Sequence, residues 1–255
     1  MSKRVTAGLL IALGAAACSD GAAPGQPGIS LSFTTVTGAQ SAVAAAPGFF
    51  ASMMSDTVAA SGDTIVITKA EIVLREIELK RVEYESCDAS MSNDDCEEFE
   101  TGPVLLDMPL NGEVDQLVSI PAPVGTYDEL EFEIHKVSND DPSDADFRNQ
   151  YPHMTGKSIR IEGTYNGTPF VYETDLDVEQ ETELTSPIEV IDASTSTTVT
   201  VAIDLSQWFV DAAGNLVDPS TGNKGGANES LVKENIKRSM KAFEDEDHDG
   251  HDDDD

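Results

Sequence analysis

Apolar and polar residues alternate with a period of two along most of this chain. The pattern is clearest over residues 126–135. There Tyr127, Leu130, Phe132 and Ile134 fall on one side, and Glu129, Glu131, Glu133 and His135 fall on the other. Successive strand side chains point to opposite faces, so this spacing predicts a strand with one buried and one wet face. Residues 64–85 carry the longest such signal. Ile65 and Ile67 alternate, then Ile72 and Leu74, then Ile77 and Leu79. The step from Leu74 to Ile77 is odd, so the inward face switches there, which predicts a bulge or a bend. A helix competes for this stretch, because Glu, Leu, Lys and Arg favour one. The β-branched content and the period of two decide for strand.

Shorter strands are predicted near 29–33, 104–108, 114–120, 159–161, 170–172, 183–191 and 197–205, the last closed by Trp208 and Phe209. Asn166-Gly167 between two of them predicts a tight hairpin turn, whose positive φ angles both residues tolerate. Residues 37–62 read as a long connection holding one short strand or helical turn. Residues 138–156 read as a polar surface loop long enough to suspect a role. The period changes once. Over 229–243, Leu231, Val232, Ile236, Met240 and Phe243 approach helical spacing behind Asn228 as N-cap, which predicts a helix. Nine or ten strands in hairpin spacing with one terminal helix predict a mainly β chain, an antiparallel sandwich or barrel.

The N-terminus adds a location. Lys3 and Arg4 precede an uncharged apolar run, and Ala15, Ala16 and Ala17 lead into Cys18. This is the plan of a secretory signal over 1–17, and the run is shorter than the roughly 20 residues a bilayer span takes. It resembles a bacterial lipoprotein signal, whose cysteine becomes the lipidated N-terminus, although Ala15 stands where Leu is usual. The competing reading leaves Cys18 as a free thiol, an oxidation liability. Residues 18–28 are small, polar and rich in Gly and Pro, and read as a tether. Ser19, in place of an aspartate, fits onward transport to the outer membrane. The domain then spans 29–243, and an acidic tail spans 244–255.

Charge narrows the partners. The chain holds 15 basic and 48 acidic residues, a formal net charge of −33, and nine of the acids lie in the tail. Such a surface repels nucleic acid, favours solubility and attracts cations. Cys87 and Cys96 sit close together in an exported chain, so they predict a disulfide closing a small acidic loop. A metal site is the alternative, but there is no C-x-x-C and no neighbouring histidine in sequence.

The runs ITKAEIVLREIELKR, VLLDMPLNG and VGTYDELEFEIHKV resemble a domain-of-unknown-function family of bacterial exported lipoproteins. That resemblance covers about the central third of the chain. It implies an immunoglobulin- or prealbumin-like sandwich and an envelope location, and it implies no catalytic residues.

Sequence motifs for nucleophilic, zinc-protease or phosphate-cradling chemistry are absent. His135 is expected on a solvated strand face, where it also has the option of ligating a metal with Glu133 or loop aspartates. The one constellation with a ligand pattern is Asp245-Glu246-Asp247-His248-Asp249-Gly250. Oxygens at Asp245, Asp247 and Asp249, followed by a turn glycine, form the first half of an EF-hand-type calcium loop. The closing bidentate glutamate would fall past Asp255, so the alternative is a disordered acidic tail. The sequence therefore points to a non-catalytic envelope lipoprotein that needs no cofactor. It would be attached to the membrane by lipid, with an envelope protein or a glycan as partner. The alternative function is weak calcium binding through the tail.

Overall fold

A computed structural model of the chain describes residues 28–36, 55–82, 102–110, 112–122, 124–191, 196–245, 247 and 249–251. The signal segment, Cys18, the tether up to residue 27 and the Cys87–Cys96 pair lie outside the described residues. The strands are β1 (Gly28–Val36), β2 (Asp56–Ala60), β3 (Asp63–Arg81), β4 (Val104–Asp107), β5 (Val114–Pro121), β6 (Gly125–Ile134), β7 (Ile159–Tyr165), β8 (Thr168–Thr174), β9 (Val178–Val190), β10 (Ser196–Asp204) and β11 (Met240–Glu244). Among the described residues two short helices, α1 (Ala145–Gln150) and α2 (Glu229–Lys237), accompany the strands together with several 3₁₀ turns.

The chain is mainly β, as its periodicity predicts, but the sheet is mixed rather than wholly antiparallel. Its order is β5-β1-β10-β11-β9-β6-β3-β7-β8, with β2 and β4 added on β3. β1 runs parallel to β10, and β9 meets β11 in parallel through Leu184 and Ala242. Alternation tells which face a residue takes but not which strand lies beside it. A hairpin-only topology was therefore the simpler expectation, and the β1–β10 pairing departs from it.

β3 organises one half. Its inward face shifts at the predicted place: Ile72 and Leu74 are buried, and so are Ile77 and Leu79 after the slip. The register breaks between Arg75 and Glu78, and Glu76 adopts φ +52°. At Val73, β3 passes from one neighbour to the next. The Val73 N–H donates to the Ser158 carbonyl, and its C=O accepts from the His135 N–H. The N–H and C=O of one strand residue point to the same side. β7 and β6 therefore lie end to end along one edge of β3 and part at Val73.

The segment 138–156, expected to be a polar surface loop long enough to have a role, fills this parting. It folds into 3₁₀ turns around α1. Phe147 and Met154 are buried with Val73 and Val137 in a small second core. The predicted Asn166-Gly167 hairpin turn joins β7 to β8, with φ of +50° and +79°.

The C-terminal helix is shorter than 229–243. α2 ends at Lys237, and Val232 and Ile236 are the side chains it buries. Met240 and Phe243 belong to β11, which pairs antiparallel with β10. Steps of four and three residues suit a helix, but the free edge of β10 offers five residues a full ladder, and that tertiary pairing prevails. Ser239 fixes the break: its Oγ accepts from Trp208 Nε1 at 2.7 Å and donates to the Ile236 carbonyl. Trp208 is fully buried beneath it. Among the described residues no helix is long and apolar enough to cross a membrane.

Candidate cation-binding site

β11 delivers the chain to the polar face of the β1–β10 pair. Thr34, Thr198 and Thr200 on that face are all buried, so something covers them. The cover is the segment after β11, which was expected to be disordered from 244. Its first aspartate, Asp245, has no exposed surface. The Asp245 N–H donates to the Thr198 carbonyl at 3.1 Å, which extends the β10–β11 ladder by one step.

The Asp245 carboxylate organises the turn that follows. Its Oδ2 accepts from Thr200 Oγ1 at 2.8 Å and from the Gly250 N–H at 3.1 Å. Its Oδ1 accepts from the Asp249 N–H at 3.0 Å. The same N–H lies 3.2 Å from Asp247 Oδ1, and the His251 N–H donates to Asp249 Oδ1 at 2.9 Å. Gly250 closes the turn at φ +80°, and a Cβ there would sit 3.1 Å from Val114 Cγ2. A larger residue would therefore be both strained and crowded.

This folding brings the three predicted ligands together. Asp245, Asp247 and Asp249 each offer an oxygen, all within 4.8 Å of one another; Asp245 is buried, and the other two are exposed. At such separations each like-charged pair repels by about 1–3 kcal/mol for effective dielectrics between 80 and 20, nearer the low value for the exposed members. A divalent cation among them relieves that repulsion. Each carboxylate oxygen has two lone pairs, so the bonds from Thr200 and the backbone leave ligand capacity on Asp245.

No family model and no curated protein matches this sequence. A search of solved structures finds MbnP from Methylosinus trichosporium. The two share 10% identity at a TM-score of 0.42, over 85% of this chain and 98% of that one.

The other expected site residues fall differently. Cys18, Cys87 and Cys96 lie outside the described residues. His135 is not on a solvated face: it is 4% exposed and covered by the 138–156 segment. His153 reaches Glu71 Oε1 at 3.1 Å. Glu71 is 2% exposed and also meets Lys69 Nζ at 2.6 Å and Arg160 at 3.8 Å, a buried carboxylate matched by cations.

Sequence reasoning missed Thr200 as the support of the Asp245 carboxylate. A run of alternating threonines on a buried strand was the available signal, since a buried hydroxyl needs a partner. A groove of about 450 Å³ also follows the seam where β9 meets β11, between Glu183 and Lys241.

Proposed function

We propose that this chain is a non-catalytic envelope lipoprotein whose C-terminal turn binds calcium. One observation carries the calcium reading: Asp245 is wholly buried, and the chain after it folds back so that Asp247 and Asp249 converge on its carboxylate. Three carboxylates with a turn glycine at Gly250 make a hard, all-oxygen donor set, which suits calcium better than softer ions. Calcium takes six to eight oxygens, so water and a backbone carbonyl supply the rest. Affinity on the order of 0.1–1 mM follows, as in other extracellular modules.

The rest of the reading rests on the N-terminal signal and on the fold. The Cys18 sequence context supports lipid attachment at the outer membrane. The resemblance to exported lipoproteins agrees with it, as does a curled β-rich body read as an immunoglobulin- or prealbumin-like sandwich. The seam groove beside β11 is the surface for an envelope protein or glycan partner.

The test is a calcium titration of the full chain, followed by the amide signals of Asp249 and Gly250. Saturable shifts at these two residues, weakened by Asp247→Asn, support the reading. Uniform small shifts that modest salt abolishes would leave only a solvated acidic segment.

A further inference from the structure

His135 lies at the parting of β6 and β7, far from the acidic turn in sequence, and its surroundings have the form of a metal ligand sphere. Its side chain is 5% exposed. Nε2 lies 2.8 Å from Asp144 Oδ1, and Asp144 has no exposed surface. Asp144 is fixed in turn, since its Oδ2 accepts from the Ser138 N–H at 2.6 Å. An ionised carboxylate can only accept, so Nε2 carries a ring proton, and the neutral tautomer that keeps this bond has its lone pair on Nδ1.

That Nδ1 is buried and has no hydrogen-bond partner. It faces two further carboxylate oxygens, Glu133 Oε1 at 3.7 Å and Asp177 Oδ1 at 3.8 Å. Both distances are too long for a hydrogen bond. They are close to the roughly 3.3 Å separation of ligands around a tetrahedral ion with 2.0–2.1 Å bonds. The sequence places these groups by register. Glu133 and His135 are two apart at the end of β6. Ile134 pairs with Val178, which sets Asp177 opposite His135. Each carboxylate is positioned: Arg75 holds Glu133 by Oε2 at 2.7 Å and leaves Oε1 free, while the Lys136 N–H donates to Asp177 Oδ1 at 2.9 Å. A pocket of about 410 Å³, lined by Glu131, Glu133, Asp177 and Glu179, opens beside them.

We propose that His135 Nδ1, Glu133 and Asp177 bind a divalent first-row transition ion of the zinc type, with Asp144 as the residue that orients His135. Imidazole in the set selects against calcium and magnesium, and three protein ligands leave a position open to water or a small ligand from the pocket. A carboxylate behind a ligating histidine is the usual arrangement for such ions. This site is independent of the calcium turn and shares no residue with it.

The probe is cobalt(II), added to the full chain in excess calcium so that purely carboxylate groups are occupied. One cobalt per chain with a visible absorption band, displaced by equimolar zinc, is expected. Asp177 is half exposed, with 53% of its side chain in solvent. Asp177→Asn should therefore keep the fold while weakening zinc at least tenfold. Glu133→Gln should do the same, and His135→Gln should abolish the band.

Asp144→Asn should weaken zinc by roughly 10–100-fold. It should also move the ring proton from Nε2 to Nδ1, a change that ¹⁵N shifts of the ring report and a merely structural role would not produce. In the unmutated chain zinc should shift the ¹⁵N signal of Nδ1. Cobalt binding indifferent to Asp177→Asn would overturn the proposal. So would a His135 ring that stays doubly protonated at neutral pH under excess zinc, because it would then be an imidazolium paired with carboxylates. Asp247→Asn should leave the cobalt band unchanged, so failure here and failure of the calcium turn are read separately.

Discussion

Replacing Asp245 by Asn tests whether the C-terminal turn is part of the fold. The buried carboxylate accepts three bonds, from Thr200 Oγ1, the Asp249 N–H and the Gly250 N–H. Asn keeps one oxygen and places an NH₂ group against the donors that faced the other. At least one partly buried donor then loses its acceptor, and the remaining bonds lose their charge assistance. A hydrogen bond to a charged group contributes about 1.5–3 kcal/mol, and an orphaned buried donor costs a similar amount. These overlap, so the net loss should be about 2–3 kcal/mol. For a domain of this size each kcal/mol moves the melting midpoint by about 2–4 °C, so Asp245→Asn should lower it by about 4–12 °C.

Calcium supplies the internal control. At 5 mM and a dissociation constant of 0.1–1 mM, binding stabilises the native state by about 1–2 kcal/mol. The unmutated chain should therefore melt a few degrees higher with calcium than with chelator, and Asp245→Asn should show little of this gain. Scanning calorimetry with and without calcium measures both effects. An Asp245→Asn midpoint equal to that of the unmutated chain would refute the anchoring of the turn on β10.

Three further outcomes follow from the packing and the sequence. Ile236 is fully buried under α2, so Ile236→Ala should cost about 2–5 kcal/mol, and an unchanged thermal midpoint would mean that α2 is a loose appendage. The Asp175 carboxyl is held well below the usual carboxylate range by hydrogen bonds from Lys224 and Lys233. Its contribution is present above the unfolded value near pH 4 and is lost as pH falls from there through the folded value, which lies well below. Because Lys224 is 77% exposed, screening keeps the gain to about 1 kcal/mol or less. Asp175→Asn should thus lower the midpoint slightly at pH 7 and by less at pH 2, as denaturation curves at the two pH values would show. Intact-mass measurement of the native protein should find an acylated Cys18 as its first residue, and a product processed elsewhere would refute lipidation.

What was legible in the sequence was parity. The slip between Leu74 and Ile77 breaks the alternation, and the bulge at Glu76 is its physical form. The face of β6 and the turn at Asn166-Gly167 were readable for the same reason, since each is fixed within a few residues. Long-range pairing was not. Nothing in Ile29, Leu31 and Phe33 says that their neighbour across β1 is a parallel strand some 170 residues later. The end of α2 was ambiguous because Ile236, Met240 and Phe243 suit both a helix and a helix that breaks into a strand. His135 was misplaced by parity itself. It shares the side of Glu133 and reads as solvated, but Asp144 and the rest of 138–156 fold over it. The Asp141-Pro142-Ser143-Asp144 run carried turn chemistry, but nothing in it named the surface the turn would cover.

Buried carboxylates separate the structural charges of this molecule from its candidate sites. Taking a carboxylate out of water is costly unless its charge is matched. Glu71 is matched: Lys69, Arg160 and His153 all reach it, and its role ends with the ion pairs. Asp144 and Asp245 have no exposed surface, but their partners are an imidazole, a hydroxyl and backbone N–H groups. Apart from the imidazole, none of those donors carries a formal charge. Further acids converge nearby, Glu133 and Asp177 at the other nitrogen of the His135 ring and Asp247 and Asp249 at Asp245 itself. In a chain of net charge −33, such places concentrate negative potential where solvent screens it least. A cation bound at either place supplies the compensation that Glu71 obtains from its own chain. On this argument the two cation sites should raise the melting midpoint additively, because they share no ligand and no supporting residue. Zinc and calcium together should therefore stabilise the full chain by the sum of their separate shifts, and a combined shift no larger than one alone would mean that both ions act through the same carboxylates.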